Sequence, residues 1–242
     1  MKVFVIIPAA GLGTRMTSAH GTKAKKGLPS KQFAELGGTP ILFHTLRKFA
    51  ACAKVSEICI ALRRNEISSF KAVLEKEGKD ILQKKVELVE GGEHRQESVG
   101  NALAAIGATA TDIVLVHDAV RPFVTEEIIH EVIAAAQKYG AAIAGMPAVD
   151  TIKQVERTAD GALIKTTIPR ERVVMAQTPQ GFRYEVLKKA FDEAKADGFT
   201  GTDEASLVER AGGQVAVVMG SPRNIKITTP EDLYLAEFFL KR

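Results

Sequence analysis

Residues 2–16 read KVFVIIPAAGLGTRM, in which a β-branched run ends in a loop of small residues. The run Lys2–Ile7 predicts a buried strand, because β-branched and aromatic side chains favour strands. Four small residues follow the strand: Ala9, Ala10, Gly11 and Gly13. Without bulky side chains, this loop can approach a ligand closely and present its N–H groups to phosphates. The segment therefore predicts a phosphate-binding loop at the end of the first strand.

Two familiar phosphate-binding motifs do not match this loop. The dinucleotide fingerprint needs a third glycine where the chain has Met16, and the stretch that follows is lysine-rich rather than acidic. The P-loop needs a Gly-Lys-Ser/Thr ending, which the loop lacks. An NAD-binding protein and a P-loop NTPase are therefore both disfavoured.

Strand-like runs alternate with amphipathic helical patterns along the chain. The predicted strands are Lys2–Ile7, Val55–Leu62, Val86–Val89, Ile113–His117 and Ala141–Gly145. Helical spacing lies between them, as in the apolar face formed by Ile128, Ile129, Val132, Ile133 and Ala136. This alternation predicts an α/β fold, a Rossmann-like domain with a mostly parallel central sheet. No linker interrupts the pattern, so residues 1–242 are predicted to form a single domain.

The pattern changes between Thr151 and Ile168, where two alternating runs flank Ala159-Asp160-Gly161. The Asp-Gly pair favours a tight turn, so residues 151–168 are predicted to form a β-hairpin. The hairpin has too few apolar residues for a core of its own and must pack on the parent domain or on another subunit. It is therefore predicted to be a protruding β-arm.

Capping residues predict where the last two helices begin. Thr202 is a suitable N-cap, and the acidic Asp203 and Glu204 after it suit the first turn of a helix. Thr229 is followed by Pro230, a residue favoured at the first helical position. We therefore expect one helix to begin after Thr202 and another after Thr229.

Composition restricts the class of protein. The chain is 45% hydrophobic, enough for a sizeable core, and its net charge of +4 is too small to indicate nucleic-acid binding. Its apolar runs are far shorter than the roughly 20 residues of a membrane helix, and the first strand is not preceded by a secretory signal. We expect a cytoplasmic protein without membrane or nucleic-acid partners. Cys52 and Cys59 are expected to be buried thiols.

Six segments together resemble known nucleotidyltransferases. The small-residue loop ends in Gly13-Thr14-Arg15, and Pro29-Ser30-Lys31-Gln32-Phe33 follows, as in sugar nucleotidyltransferases. The other four are residues 91–98 (GGEHRQES), 117–122 (HDAVRP), 202–206 (TDEAS) and 224–228 (NIKIT). In this order and spacing they are similar to the 2-C-methyl-D-erythritol 4-phosphate cytidylyltransferases over essentially the whole chain. The resemblance implies an enzyme of non-mevalonate isoprenoid synthesis that transfers a cytidylyl group from CTP to a polyol phosphate.

The resemblance also assigns roles to individual residues. The implied catalytic residues are Arg15, Lys31, Lys226 and Asp118. The implied CTP-binding residues are Ala9, Ala10, Gly11, Gly13, Gly92, Glu93, Ser98 and Ala119. The implied acceptor-binding residues are Arg121, Thr151, Arg170, Thr178 and Thr202. Magnesium is the implied cofactor, held largely by the triphosphate, and no protein ligand for a metal is predicted.

In the family that the chain resembles, the β-arm crosses to the neighbouring subunit. This implies a homodimer in which Thr151 and Arg170 serve the active site of the partner. The sequence departs from the family in one place, because the loop Thr17–Leu28 is longer and rich in lysine. Lys31 keeps the expected Lys-Gln-aromatic context and is preferred to Lys25 and Lys26, which otherwise suit a solvated basic loop.

Several of these residues also have plain structural interpretations. Asp118 follows a strand, where α/β sheets place ligand-binding groups, but it could instead cap its own loop. Arg121 could form a surface ion pair rather than reach a phosphate. Residues 91–98 could form a plain turn in which Ser98 is the N-cap of the next helix. His117 is interpreted as structural.

Two other functions stay open on the sequence. A ribitol-5-phosphate cytidylyltransferase would share the fold and most CTP contacts, although Pro8–Gly11 and Thr202–Ala205 favour the methylerythritol enzyme. A catalytically silent nucleotide-binding protein on the same fold would be expected to have lost the phosphate cations. Because Arg15, Lys31 and Lys226 are all present, the sequence favours an enzyme.

Overall fold

A computed structural model describes residues 1–11 and 30–241. Gly13, Arg15 and the loop Thr17–Leu28 lie outside the described residues. In chain order the elements are β1 (Val3–Pro8), β2 (Glu35–Leu36), β3 (Thr39–Pro40), α1 (Ile41–Ala51), β4 (Glu57–Leu62), α2 (Arg64–Glu77), β5 (Lys85–Glu90), α3 (Arg95–Ala105), β6 (Ile113–Val116), α4 (Glu126–Tyr139), β7 (Ala141–Pro147), β8 (Ile152–Thr158), β9 (Gly161–Ile168), β10 (Val174–Arg183), α5 (Tyr184–Ala196), α6 (Glu204–Arg210), β11 (Ala216–Met219) and α7 (Pro230–Leu240).

The central sheet has seven strands in the order β11-β7-β10-β6-β1-β4-β5. Every neighbouring pair is parallel except the two that involve β10. The predicted α/β class with a mostly parallel sheet is therefore confirmed, and the five predicted strands are present with ends shifted by at most two residues. Sequence reasoning missed β10 and β11. The middle of β10 reads Thr178-Pro179-Gln180-Gly181, which is typical of a loop, and its pairing with β7 is irregular there.

Two layers of helices cover the sheet, because alternate strand residues face opposite sides. In β1, Val3, Val5 and Ile7 pack with buried side chains of α1, α2 and α4. Phe4 and Ile6 point the other way and pack with α3, α5 and α6. The apolar face predicted for residues 128–136 is buried against the sheet as part of α4. Burying both faces leaves the strand ends and loops to carry function.

The predicted start of the last helix is confirmed, and the predicted start of α6 is wrong by one residue. Thr229 caps α7, its hydroxyl accepting a hydrogen bond from the Asp232 N–H, and Pro230 takes the first position. In α6 the N-cap is Asp203, whose carboxylate accepts the Ser206 N–H at 3.0 Å. Thr202 lies outside the helix. An aspartate accepts this hydrogen bond as well as a threonine does, so sequence alone could not choose between the two adjacent residues.

Strands β8 and β9 form a two-stranded antiparallel hairpin separate from the central sheet. Its turn is Ala159–Asp160, and Gly161 opens β9 with a φ of 145°, so the predicted Asp-Gly pair is not itself the centre of the turn. Large apolar side chains remain exposed on the arm, with Leu163 67% and Ile164 65% accessible. Ile164 lies opposite the exposed Val155 across the hairpin, so these two form an apolar pair on one face, while Leu163 lies on the other face.

None of the helices in the described part of the chain is long and apolar enough to cross a membrane.

Candidate active site

The candidate site lies at the carboxyl edge of the sheet between β1 and β6. The chain passes from β1 through α1 to β4 on one side, while β6 pairs with β1 on the other. At such a switch point the loops diverge and leave a crevice for ligands. The described residues that line it are Pro8, Ala9, Ala10, Gly11, Lys31, Gln32, Gly92, Glu93, His94, Arg95, Ser98, Asp118, Ala119, Val120 and Lys226.

Hydrogen bonds from neighbouring segments hold the loop after β1. The Ala9 N–H donates to the Ala61 carbonyl at 2.8 Å and so prolongs the ladder between β1 and β4. The Ala9 carbonyl accepts a hydrogen bond from Gln32, and the Ala10 carbonyl accepts one from Arg63 Nε at 2.9 Å. The backbone after β1 is therefore anchored on both sides where it forms the wall of the crevice.

Opposite this loop, Gly92 lines the crevice, and both Gly91 and Gly92 pack so closely on their neighbours that a side chain would not fit. A Cβ on Gly91 would lie 2.5 Å from the Cβ of Ala10, and one on Gly92 would lie 2.3 Å from the Cβ of Glu97. Real Cβ atoms do not approach this closely, so a side chain at Gly91 would push this segment away from Ala10, and one at Gly92 would push it away from α3. The place of Gly92 in the lining of the crevice therefore depends on both glycines.

Ser98 and Glu97 hold the turn that contains Gly92. The Ser98 hydroxyl accepts a hydrogen bond from the Gly92 N–H at 3.1 Å and donates one to the His94 carbonyl at 3.1 Å. The Glu97 carboxylate accepts the Glu93 N–H at 2.8 Å. Ser98 is not the N-cap of α3, because it lies inside the helix and His94 holds the cap position. The serine positions the glycine wall whether or not it also contacts a base.

Asp118 is the centre of a cluster of charges at the base of the crevice. Its side chain is only 8% exposed, and three cations reach it: Arg95 Nε at 3.4 Å, Arg121 Nε at 3.1 Å and Lys226 Nζ at 3.0 Å. Burial alone would raise the pKa of Asp118, but the charges of Arg95, Lys226 and Arg121 outweigh burial and hold this pKa well below its usual range. The aspartate is therefore ionised at neutral pH and is not a plain loop cap.

Lys226 reaches Asp118 because its segment is fastened to the loop after β6. The Ile227 N–H donates to the Val120 carbonyl at 2.9 Å, and Arg121 Nη1 donates to the Asn224 carbonyl at 2.7 Å. The Lys226 side chain is 38% exposed, whereas that of Arg121 is only 12% exposed. Of the two, Lys226 is better placed to turn from Asp118 toward an anion in the crevice.

Thr178 and His117 support Asp118 from beneath. The Thr178 hydroxyl accepts the Asp118 N–H at 3.0 Å and lies 3.1 Å from His117 Nδ1, while His117 Nε2 lies 3.0 Å from the Arg121 carbonyl. These contacts form one chain if Nε2 carries the imidazole proton. Burial lowers the pKa of His117 to about 4, so the ring is neutral at pH 7, in keeping with a structural role.

The lowered pKa of His117 predicts a stability change with pH. Since the pKa falls from 6.5 to about 4 on folding, the unfolded chain binds more protons between these values. The free energy of unfolding is therefore highest above pH 6.5 and decreases as the pH falls toward 4. Between pH 7 and pH 5 the expected decrease is about 2 kcal/mol. Urea unfolding at several pH values measures this loss.

The matched control for this prediction is His117→Asn, which removes the titrating ring. Burial lowers the pKa of His44 and raises that of Glu204, but both groups stay in the variant, so they cancel in the difference. Wild type should therefore lose more stability than the variant between pH 7 and 5. Parallel pH profiles for the two proteins would contradict the assignment.

The structure brings some of the predicted site residues together and not others. Residues at the crevice are Ala9, Ala10, Gly11, Lys31, Gly92, Glu93, Ser98, Asp118, Ala119 and Lys226, with Arg121 bound to Asp118 just behind them. Thr178 is buried, and its hydroxyl is engaged by the protein itself. Thr151, Arg170 and Thr202 are exposed and are not among the described lining residues. Arg15 and Gly13 lie outside the described residues.

Two residues of the charge cluster were not assigned a role from the sequence, although both belong to quoted motifs. Arg95 Nη1 forms an ion pair with Glu204 Oε1 at 2.7 Å, and the Glu204 side chain is only 1% exposed. Burial raises the pKa of the Glu204 carboxyl despite the adjacent guanidinium, and its Oε2 has no hydrogen-bond partner among the described residues. The first residue of α3 and the first of α6 thus meet behind Asp118.

The fold and the site together define a class of protein. A small-residue loop at the switch point of an α/β sheet faces a cluster in which Arg95, Arg121 and Lys226 outnumber the carboxylates of Asp118 and Glu204. This arrangement suits a nucleoside triphosphate and a second phosphorylated substrate, as in an α/β nucleotidyltransferase.

Comparison with known proteins identifies the family within this class. The chain matches the profile of the IspD family, 2-C-methyl-D-erythritol 4-phosphate cytidylyltransferase, over residues 3–242. Proteins of that name from Acidobacterium capsulatum and Solibacter usitatus are 60% and 52% identical to it, over 100% of this chain and 98% and 96% of theirs. The chain belongs to this family and is a nucleotidyl-transferring enzyme.

Solved structures agree with this assignment. The 4-diphosphocytidyl-2C-methyl-D-erythritol synthase of Anaerococcus prevotii superposes with a TM-score of 0.81 at 30% identity, covering 100% of this chain and 99% of that one. The 2-C-methyl-D-erythritol 4-phosphate cytidylyltransferase of Thermus thermophilus superposes with a TM-score of 0.76 at 33% identity, covering 100% of both chains.

Proposed function

We propose that this chain transfers the cytidylyl group of CTP to the phosphate of 2-C-methyl-D-erythritol 4-phosphate, giving 4-diphosphocytidyl-2-C-methyl-D-erythritol and pyrophosphate. The observation that supports this most is the position of Lys226. Its partly exposed Nζ lies 3.0 Å from the buried Asp118 carboxylate, in a crevice that is also lined by a loop suited to phosphates. The site is rich in cations, and the Ser98 hydroxyl in its lining is already engaged by Gly92 and His94. It is therefore suited to joining two phosphorylated substrates directly.

In the proposed reaction an acceptor phosphate oxygen attacks the α-phosphorus of CTP. A new P–O bond forms, the bond to the β-phosphate breaks, and pyrophosphate leaves with the electron pair. A phosphate monoester has a second pKa of about 6, so the attacking oxygen is already ionised at neutral pH and needs no general base. Catalysis then depends on positioning and on neutralising the charge of the transition state.

We assign that neutralisation to Lys226, Lys31 and Arg15. Lys226 can leave Asp118 and bind a phosphate oxygen, because Arg95 and Arg121 stay paired with the carboxylate and neutralise its charge. Lys31 lines the crevice at the start of a short 3-10 helix beside the small-residue loop. Arg121 and Asp118 would orient the acceptor. Arg15 is carried over from the family resemblance alone.

The size of the crevice supports a pyrimidine. Gly91 packs directly on Ala10 and Gly92 packs on Glu97, so these segments are held in fixed positions beside the crevice. Backbone groups of these segments, together with Ser98, can recognise the polar edge of cytosine. A purine would have to displace one wall, which the hydrogen bonds of Ser98 and Glu97 resist.

We propose that Mg²⁺ enters with the triphosphate as part of the substrate. The described carboxylates that line the crevice are Asp118 and Glu93, and Asp118 is already bound by three cations. A magnesium site that used Asp118 would have to break those ion pairs. The ion is instead held mainly by phosphate oxygens, as is common for Mg²⁺, and offsets charge on the departing pyrophosphate. We place the activity in the cytoplasm, as the sequence predicts.

We further propose that the arm docks on a second copy of the chain and completes its site. Arg170 lies at the base of the arm, where its Nη1 donates to the Val149 carbonyl at 2.7 Å and its guanidinium stays exposed. Thr151 is exposed nearby. The exposed cross-strand pair Val155 and Ile164 offers an apolar surface for docking.

A two-by-two assay tests both substrates. Pyrophosphate release is measured with CTP or ATP as donor, and with 2-C-methyl-D-erythritol 4-phosphate or ribitol 5-phosphate as acceptor. We expect CTP with the methylerythritol phosphate to exceed every other combination in kcat/KM by about a hundredfold or more, since unpaired polar groups in a pocket strongly disfavour the wrong substrate. Equal values for ATP would contradict the proposed pocket, and faster turnover of ribitol 5-phosphate would overturn the proposed acceptor.

A further inference from the structure

Three metal-ligating side chains of different chemistry meet away from the crevice, where the end of α1 packs on the start of α4. Cys52 follows the last residue of α1, and Glu126 and His130 belong to the first turns of α4. Each offers one ligand atom, and the three atoms lie within 4.8 Å of one another. None of the three is among the described residues that line the active-site crevice.

The three side chains differ in their exposure to solvent. Cys52 is buried, whereas the side chains of His130 and Glu126 are 36% and 57% exposed. Glu126 and His130 are four residues apart on one helix and therefore share a face. A thiol lies below this face and a carboxylate above it, so an ion could enter from solvent and still gain a buried sulfur ligand.

The distances match those around a tetrahedral zinc ion. His130 Nε2 lies 3.5 Å from Cys52 Sγ and 3.4 Å from Glu126 Oε1. Zinc bonds of about 2.3 Å to sulfur, 2.0–2.1 Å to nitrogen and 2.0–2.2 Å to oxygen place neighbouring ligands about 3.5 Å (S to N) and about 3.4 Å (N to O) apart in a tetrahedron. These two separations fit a tetrahedron, and the third, from Cys52 Sγ to the Glu126 carboxylate, lies within 4.8 Å and would have to close to about 3.6 Å.

The two contacts converge on one atom, His130 Nε2. Hydrogen bonding satisfies them only weakly, because one N–H would have to be shared between the carboxylate and the sulfur, which is a weak acceptor. A metal ion would accept a lone pair from all three groups at once.

We propose that Cys52, Glu126 and His130 bind a zinc-like divalent cation, with water in the fourth position. A thiolate and a carboxylate balance the two charges of the ion, and the thiol proton is released to solvent on binding. Sulfur and imidazole ligands select zinc over magnesium, so this site is distinct from any magnesium that accompanies CTP. The ion would join α1 to α4 and stabilise the folded chain in proportion to its occupancy.

Cobalt titration of the metal-free, reduced protein without nucleotide tests this site, because thiolate-bound Co²⁺ has a charge-transfer absorption. The chain has two cysteines, so the sulfur can be assigned unambiguously. We expect one equivalent of Co²⁺ to give the thiolate band, Zn²⁺ to abolish it by displacement, and Cys52→Ala to lack it. Cys59→Ala is the matched control and should retain the band, because Cys59 is buried in β4, where burial raises its pKa to about 12.

Two further variants separate ligand loss from misfolding. Glu126→Gln and His130→Asn change exposed or half-exposed side chains and should weaken Co²⁺ binding by about tenfold or more, since removing even an outer-shell partner costs that much. Zn²⁺ should raise the melting temperature of wild type and Cys59→Ala but not of these variants. The absence of a thiolate band in wild type, or its persistence in Cys52→Ala, would overturn the proposal.

Discussion

Replacing Lys226 by methionine is expected to lower kcat by about a hundredfold or more while the protein stays folded. Methionine keeps most of the apolar stem but removes the charge that we assign to the transition state, and losing one preorganised contact of this kind costs on the order of 3 kcal/mol. Asp118 remains paired with Arg95 and Arg121 in the variant, so no buried charge is left without a partner. Steady-state kinetics of pyrophosphate release measure the effect.

Lys188→Met is the matched control for this variant. Lys188 pairs with Asp192 on the exposed surface of α5, and exposed ion pairs contribute little to stability or function. Its turnover should equal that of wild type. If Lys226→Met turned over normally, or lost activity only through a raised KM, the proposed role of Lys226 in the transition state would be wrong.

Mixing inactive Arg170→Ala and Lys226→Ala proteins is expected to restore activity. If the arm carries Arg170 into the partner's site, each mixed dimer contains one site with both cations and one site with neither. Random exchange at equal concentrations makes about half of the dimers mixed, so activity should return to roughly a quarter of wild type. The measurement is turnover before and after subunit exchange, with each parent protein alone as the baseline.

A doubly substituted protein provides the control for this experiment. Mixing Arg170→Ala/Lys226→Ala with Arg170→Ala should restore nothing, because no chain then contributes Arg170. Subunit exchange is verified independently, for example by energy transfer between labelled chains. Exchange without recovery of activity would place Arg170 in its own subunit or remove it from the reaction.

The sheet and its two helical layers were predictable because they follow from burial. The runs Val3–Ile7 and Ile113–Val116 are apolar on both faces, and residues 128–136 repeat at helical spacing, so few other folds would bury them. The position of Asp118 was also predictable, since a polar residue directly after a buried strand lies at the ligand-binding edge of the sheet. Strand β10 was not predictable, because it contains Pro179 and Gly181.

Contacts between distant segments could not be read from the sequence. Arg95 and Glu204 are 109 residues apart and meet only because α3 and α6 cover the same face of the sheet. The acceptor contact predicted for Thr178 stays a prediction, and its hydroxyl also holds the Asp118 N–H, which no local pattern indicates. Arg170 and Thr151 are exposed in the single chain, and the role we propose for them depends on a second chain that the arm would reach.

The fate of the acceptor's phosphate oxygens tests the central claim most directly. The methylerythritol phosphate is synthesised with ¹⁸O in its phosphate group, and the products with CTP are analysed by mass spectrometry and ³¹P NMR. Attack by the acceptor phosphate on the α-phosphorus predicts that all of the label remains in 4-diphosphocytidyl-2-C-methyl-D-erythritol. None should enter pyrophosphate or water. Label in pyrophosphate, or an unlabelled product, would contradict attack by the acceptor phosphate on the α-phosphorus.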